Sequence, residues 1–172
     1  MATFGTFVAG QVLTAAELNS AGSWQDYTPT WTQSATITKT TNWARYTQLG
    51  KWVQGSIKMT ASSAGTANNK ILVGLPVSAS TNNFIIGQMM FFDDSTNTDV
   101  IMTVPCFYES STTMSFAHYQ IASSALQIIQ SGAQGTTNRF GQDYTSGSGS
   151  AITGVTVASS DIIYIQFAYE AA

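Results

Sequence analysis

KWVQGSIKMT, residues 51–60, decides how the chain folds. Val53, Ile57 and Met59 share one face of this stretch, and Trp52, Gln54, Ser56 and Lys58 share the other. Successive side chains of a strand point to opposite faces, whereas a helix gathers its apolar positions every three or four residues. The stretch therefore reads as one strand of an amphipathic sheet. Similar signals flank it in ATITKT (35–40), KILVGL (70–75), FIIGQMMFF (84–92), DVIMTV (99–104), TMSFAHYQ (113–120), ALQII (125–129), ITGVTV (152–157) and DIIYIQFAYE (161–170). FIIGQMMFF could be drawn as a helix, but Gly87, the β-favouring Ile and Phe, and the flanking Asn83 and Asp93 favour a strand buried on both faces. The connecting segments are rich in Gly, Ser, Thr, Asn and Asp, as turns require. Pro105 lies within an apolar run and is expected to end or bulge its strand.

About eight to ten closely spaced strands predict an all-β fold, an antiparallel β-sandwich or jelly roll spanning residues 24–172. A two-layer sandwich buries only one face of each sheet. Residues 84–92 and 161–169 carry enough apolar side chains for two faces, so a long loop or another subunit must cover the second; a subunit is the favoured reading. Charge points the same way. Only 9% of the 172 residues are charged, while 44% are hydrophobic and Ser and Thr make up about a quarter. Such a composition folds, but a surface of hydroxyls and amides resists association poorly.

Ahead of the strands, FVAGQVLTAAELNSAG (7–22) has a different grammar. Thr14-Ala15-Ala16-Glu17 fits a capping box, Val12 or Leu13 can pack on Leu18, and Asn19 and Gly22 are stop residues. One or two helical turns are expected from about Ala15 to Ser20. So short a helix needs a surface to lie on. Residues 1–23 are accordingly read as an appended segment.

The chemistry-bearing residues are sparse. Six basic residues are scattered singly and the net charge is −3, which argues against a nucleic-acid surface. No apolar stretch is long enough for a membrane-spanning helix. Cys106 stands alone and excludes an intrachain disulfide. No charged signal-peptide start precedes Lys39, so the protein is expected to be made and folded in a cytosol. His118, the single histidine, alternates with Phe116 and reads as a packed residue. No nucleophile elbow surrounds a serine, and no spacing favours any two of the nine carboxylates as a glycosidase dyad. Asp93–Asp99 resembles the start of a calcium loop but lacks the glycine at position six and the glutamate at position twelve. No catalytic residue, cofactor or metal is therefore expected. Aromatic residues are the stronger signal: Trp24, Trp31, Trp43 and Trp52 crowd the first third. They suit a core or a protein interface, and Trp52 also suits a sugar-stacking face. The long segment 131–150 holds Arg139, Phe140 and Tyr144 among glycines, which could form a ligand-contacting tip.

Two patterns carry a resemblance. The stretch 7–31 contains G-x-x-L-T-A-x-x-L-N followed by Tyr-x-Pro-x-Trp, and RYTQLGKWVQGSIKM (45–59) contains Y-x-Q-x-G-K-x-V-x-G, which reads as a strand pair. With LPVSAS (75–80) and FAYEAA (167–172), they make the chain resemble small β-rich virion proteins of tailed bacteriophages, over about a third of its length; residues 81–160 match no such pattern. The resemblance implies a non-enzymatic structural protein of the virion: a head decoration or head-fibre subunit, or alternatively a tail-associated module that recognises host surface carbohydrate. It implies a homotrimer in contact with other capsid or tail proteins. It also implies that residues 1–23 anchor the chain, with Phe7, Val8, Val12, Leu13 and Leu18 as anchoring contacts.

Overall fold

A computed structural model of the chain describes residues 12, 14, 22–66, 69–94, 100–116, 118–122, 125–129, 144–145, 151–152 and 156–172. All regular elements among them are strands. In chain order they are β1 (Gln25–Asp26), β2 (Trp31–Gln33), β3 (Ala35–Thr36), β4 (Lys39–Leu49), β5 (Trp52–Ala61), β6 (Ile71–Gly74), β7 (Ile85–Asp93), β8 (Val100–Ser110), β9 (Thr113–Phe116), β10 (His118–Ala122), β11 (Ala125–Ile129), β12 (Tyr144–Thr145), β13 (Ala151–Ile152) and β14 (Ile162–Glu170). Ten of them form one antiparallel sheet in the order β1-β4-β5-β14-β7-β8-β9-β6-β2-β3. The pairs β10–β11 and β12–β13 stand apart from it.

The sheet is curled, and chain connectivity enforces the curl. β1 pairs with β4 through Gln25↔Tyr46, and a few residues later β2 pairs with β6 through Trp31↔Val73. Those neighbours lie eight strand spacings apart in the order, about 38 Å if the sheet were flat. The five steps from Asp26 to Trp31 reach at most about 18 Å. The segment between them is bonded on both sides: Tyr27 N–H donates to the Ala44 carbonyl and Gly74 N–H donates to the Thr30 carbonyl, each at 3.0 Å. The two layers expected from the strand count are therefore opposite walls of one bent sheet. Curling lets a single sheet bury its inner face against itself.

Alternation fills the interior. Val53, Ile57 and Met59 of β5, Met89 and Phe91 of β7, and Ile163 and Ile165 of β14 all point inward, together with Trp31. The predicted faces of residues 51–60 are those observed. The inner row Tyr46–Gly55–Phe167–Gly87–Cys106 crosses five strands. Phe167 is buried between two glycines: a Cβ on Gly55 would collide with its ring, and a Cβ on Gly87 would collide with the Gln166 carbonyl oxygen. Tyr27 packs edge-on against both Tyr46 and Phe167. A fully buried Gln33 ties the wall to its loops, accepting from Val157 N–H at 3.0 Å and donating to the Asn69 carbonyl at 3.1 Å.

Some boundaries differ from the sequence expectation. β4, KTTNWARYTQL in its length, has too little apolar alternation to announce its first half; its second half and the turn to β5 fall within the strand pair read at 45–59. Gly50 has φ +58° at the first central position of the two-residue Gly50-Lys51 turn, as a type II′ hairpin requires. β8 runs through Pro105 instead of ending there. Pro105 pairs with Gln88 of β7, whereas pairing with β9 begins only at Cys106, so the missing donor interrupts a single ladder. The expected helix near 15–20 lies outside the described residues, as do Phe7, Val8, Leu13 and Leu18; Val12 is 84% exposed.

Candidate functional site

β14, the last strand, is inserted between β5 and β7, so four long strands in the order β4-β5-β14-β7 expose one broad outer face. Register divides that face into rows. Trp43, Lys58, Tyr164 and Met90 are direct cross-strand neighbours in one row. Two residues along each strand, Arg45, Ser56, Gln166 and Gln88 form the next.

The first row is aromatic and apolar around one cation, Lys58. The Lys58 ammonium lies 4.8 Å from the Tyr164 ring centre and 5.4 Å from that of Trp43. Each such contact contributes about 0.5–1 kcal/mol at an exposed site. The Trp43 and Tyr164 rings are 6.0 Å apart, and Phe92 meets Tyr164 edge-on at 5.4 Å. Trp43 remains 43% exposed and Met90 39%. This is the outer side of FIIGQMMFF and DIIYIQFAYE, the second face for which the sequence demanded a cover. Trp43 and Met90 are exposed there, and Phe92, Ile162 and Tyr164 are half-buried.

The second row is polar and floors a groove of about 700 Å³. Gln54 and Gly55 extend the floor, Ile85 lines one side, and Trp24, 52% exposed, lines the other. The Arg45 guanidinium lies 5.0 Å from the centre of the Trp24 ring. Gly55, Gly87 and Phe167 also line the groove.

The residues singled out by sequence fall in different places. Trp52 is outward and 55% exposed at the β4–β5 hairpin, beside neither row's centre. Arg139 and Phe140 lie outside the described residues, and the backbone of Tyr144 pairs with Ile152. Trp31 alone of the four tryptophans is core; Trp24, Trp43 and Trp52 are exposed. Sequence reasoning missed the groove residues Arg45, Gln88 and Gln166. Alternation would have turned them outward, but only the insertion of β14 between β5 and β7 sets them side by side.

Other chemistry is structural. Cys106 is a free, buried thiol whose pKa burial pushes well up. Lys70 and Glu109 pair at 2.6 Å. Asp161 accepts from Ala158 N–H at 2.8 Å in the turn before β14. Among the described residues no group of three His, Cys, Asp or Glu could hold a metal, and no helix is long and apolar enough to cross a membrane. No family model matches the chain, and no curated protein or solved structure matches it either.

Proposed function

We propose that the chain is a non-enzymatic structural subunit of a tailed-bacteriophage virion. In this reading residues 1–23 dock on the particle, the domain 24–172 faces outward as a head decoration or fibre component, and three copies associate. The partly exposed row of Trp43, Lys58, Tyr164 and Met90 carries the proposal, because aromatic and apolar side chains around a single cation on a weakly charged surface favour contact with a second copy.

The pattern Y-x-Q-x-G-K-x-V-x-G supports it through its physical uses. Tyr46 is buried, and its hydroxyl donates to Gln25 Oε1 at 3.1 Å. Gln48 Nε2 donates to the Gly50 carbonyl at 2.9 Å, and the Lys51 carbonyl accepts from Ala171 N–H at 2.7 Å. Val53 is core and Gly55 makes room for Phe167. Every specified position shapes the hairpin, as a scaffold motif shared by assembly proteins would. The test is to add purified full-length protein, and protein lacking residues 1–23, to cognate particles devoid of it and image them. Full-length chain should decorate and truncated chain should not. Decoration by both removes the anchor, and decoration by neither removes the virion reading. The alternative role, recognition of host surface carbohydrate, is favoured by the polar groove and has its own test below.

A further inference from the structure

We propose that the groove between Trp24 and Ile85 binds a saccharide bearing a carboxylate, stacked on the free face of the Trp24 indole and held along the row Arg45–Ser56–Gln166–Gln88. This site does not depend on the virion reading, since it follows from the groove's own chemistry.

The floor is built for polyhydroxyl recognition. Gln54, Gln88 and Gln166 each present a carboxamide that donates and accepts at once, the pairing that adjacent sugar hydroxyls need. All three are exposed, and no side-chain hydrogen bond engages any of them among the described residues. Cross-strand neighbours stand about 4.8 Å apart, so the row offers hydrogen-bonding groups at regular intervals along a chain of sugar rings. The wall supplies the other half of sugar recognition. An indole face takes the apolar side of a pyranose, and Arg45 over one face of Trp24 leaves the ring oriented before any ligand arrives.

Charge selects among sugars. Among the described residues the lining holds one cation, Arg45, and no carboxylate, while Asp26 of β1, the direct cross-strand neighbour of Arg45, stands just outside it. A guanidinium presents a planar fork that matches a carboxylate, and a neutral sugar would leave it unused. Gln166 and Gln88 cannot repel an acidic ligand.

The test uses full-length protein on an array of bacterial surface saccharides, with oligogalacturonide and its carboxyl-reduced counterpart as probes in solution. Acidic saccharides should bind and should quench Trp24 fluorescence, with the carboxyl-reduced probe at least tenfold weaker. Trp24→Ala should abolish binding. Arg45→Gln should remove the preference for the acidic probe and the salt dependence while the thermal midpoint stays within a few degrees of wild type. Gln166→Ala, on the open face of β14, gives a second check and should weaken both probes. Absence of binding to every array member and to oligogalacturonide at millimolar concentration overturns the proposal. Equal affinity for the reduced probe, or binding indifferent to Trp24→Ala and Arg45→Gln, overturns it as well.

Discussion

Gly87 is where backbone geometry leaves least room. Its missing Cβ would fall on the Gln166 carbonyl oxygen and against Phe167 Cα, both backbone atoms of the central strand. A flexible side chain could swing away; a paired strand cannot. Gly87→Ala should therefore destabilise the domain by about 3 kcal/mol or more, beyond ordinary overpacking, measured as a shifted urea midpoint. A midpoint within 0.5 kcal/mol of wild type, on the scale of a neutral surface change, would show that β7 and β14 are not so closely paired. Tyr169 offers a second reading at one side chain. Its hydroxyl donates to the Val77 carbonyl at 2.7 Å and accepts from Val77 N–H at 3.2 Å. Burial pushes its pKa up to about 12, partly offset by the Val77 N–H, with Tyr46 adding to the rise. Burial raises Tyr27 in the same direction. The folded state thus holds these protons more tightly than the unfolded chain. Their contribution is complete below pH 10, the ordinary tyrosine value, and is lost as pH rises through about 12 for Tyr169. Tyr169→Phe should lower stability at neutral pH by about 1–3 kcal/mol, since the Val77 groups lose their partner, and should make the alkaline loss shallower. An unchanged slope between pH 9 and pH 12 would assign that loss to other groups.

Among the strands, β14 holds the sheet together. It pairs with β5 from Ile162↔Thr60 to Glu170↔Trp52 and with β7 from Ile162↔Phe92 to Phe167↔Gly87. Where β7 stops pairing, Asn83 takes over: its Oδ1 accepts from Glu170 N–H at 2.9 Å and its Nδ2 donates to the Glu170 carbonyl at 2.8 Å. A side-chain amide thus imitates one more rung of the ladder. Removing residues 162–172 would leave β5 and β7 without their shared partner and strip Ile163, Ile165 and Phe167 from the core. Such a chain should show no cooperative thermal transition by near-ultraviolet circular dichroism. A sharp melt would mean that β5 and β7 can pair directly. The β4–β5 hairpin, by contrast, is local and carries its own turn, so it is expected to form early in folding.

Taken as one object, the domain has an outer face with two chemistries in adjacent rows. The aromatic row fits contact with a second copy and the amide row fits a ligand. Placing charge in the first should separate the two roles. Met90→Lys together with Trp43→Ser should convert the associated species to single chains in light scattering, with the thermal transition still cooperative. If the wild-type protein already scatters as a single chain at about 50 μM, well above the Kd of a stable oligomer, the aromatic row does not mediate self-association. Should the substituted protein remain associated, some other surface does.

How far each feature could be read from residues alone depends on the range of the interactions that set it. Faces of β5 followed from alternation, because side-chain direction in a strand depends only on neighbouring peptide units. The Gly50 turn was legible for the same reason. The first half of β4 was not, since its polar residues gain their place by pairing with β5 and not by burying a stripe. Pro105 misled because its tolerance depends on where another ladder begins. Residue order fixed an all-β chain, its inward faces and its surplus of outward apolar side chains. Folding in three dimensions settled the rest: one curled sheet in place of two layers, β14 between β5 and β7, and the row of Arg45, Ser56, Gln166 and Gln88. Those depend on contacts between residues 42 (Trp31 and Val73) to 118 (Trp52 and Glu170) positions apart, and local periodicity carries no record of which distant strand becomes a neighbour.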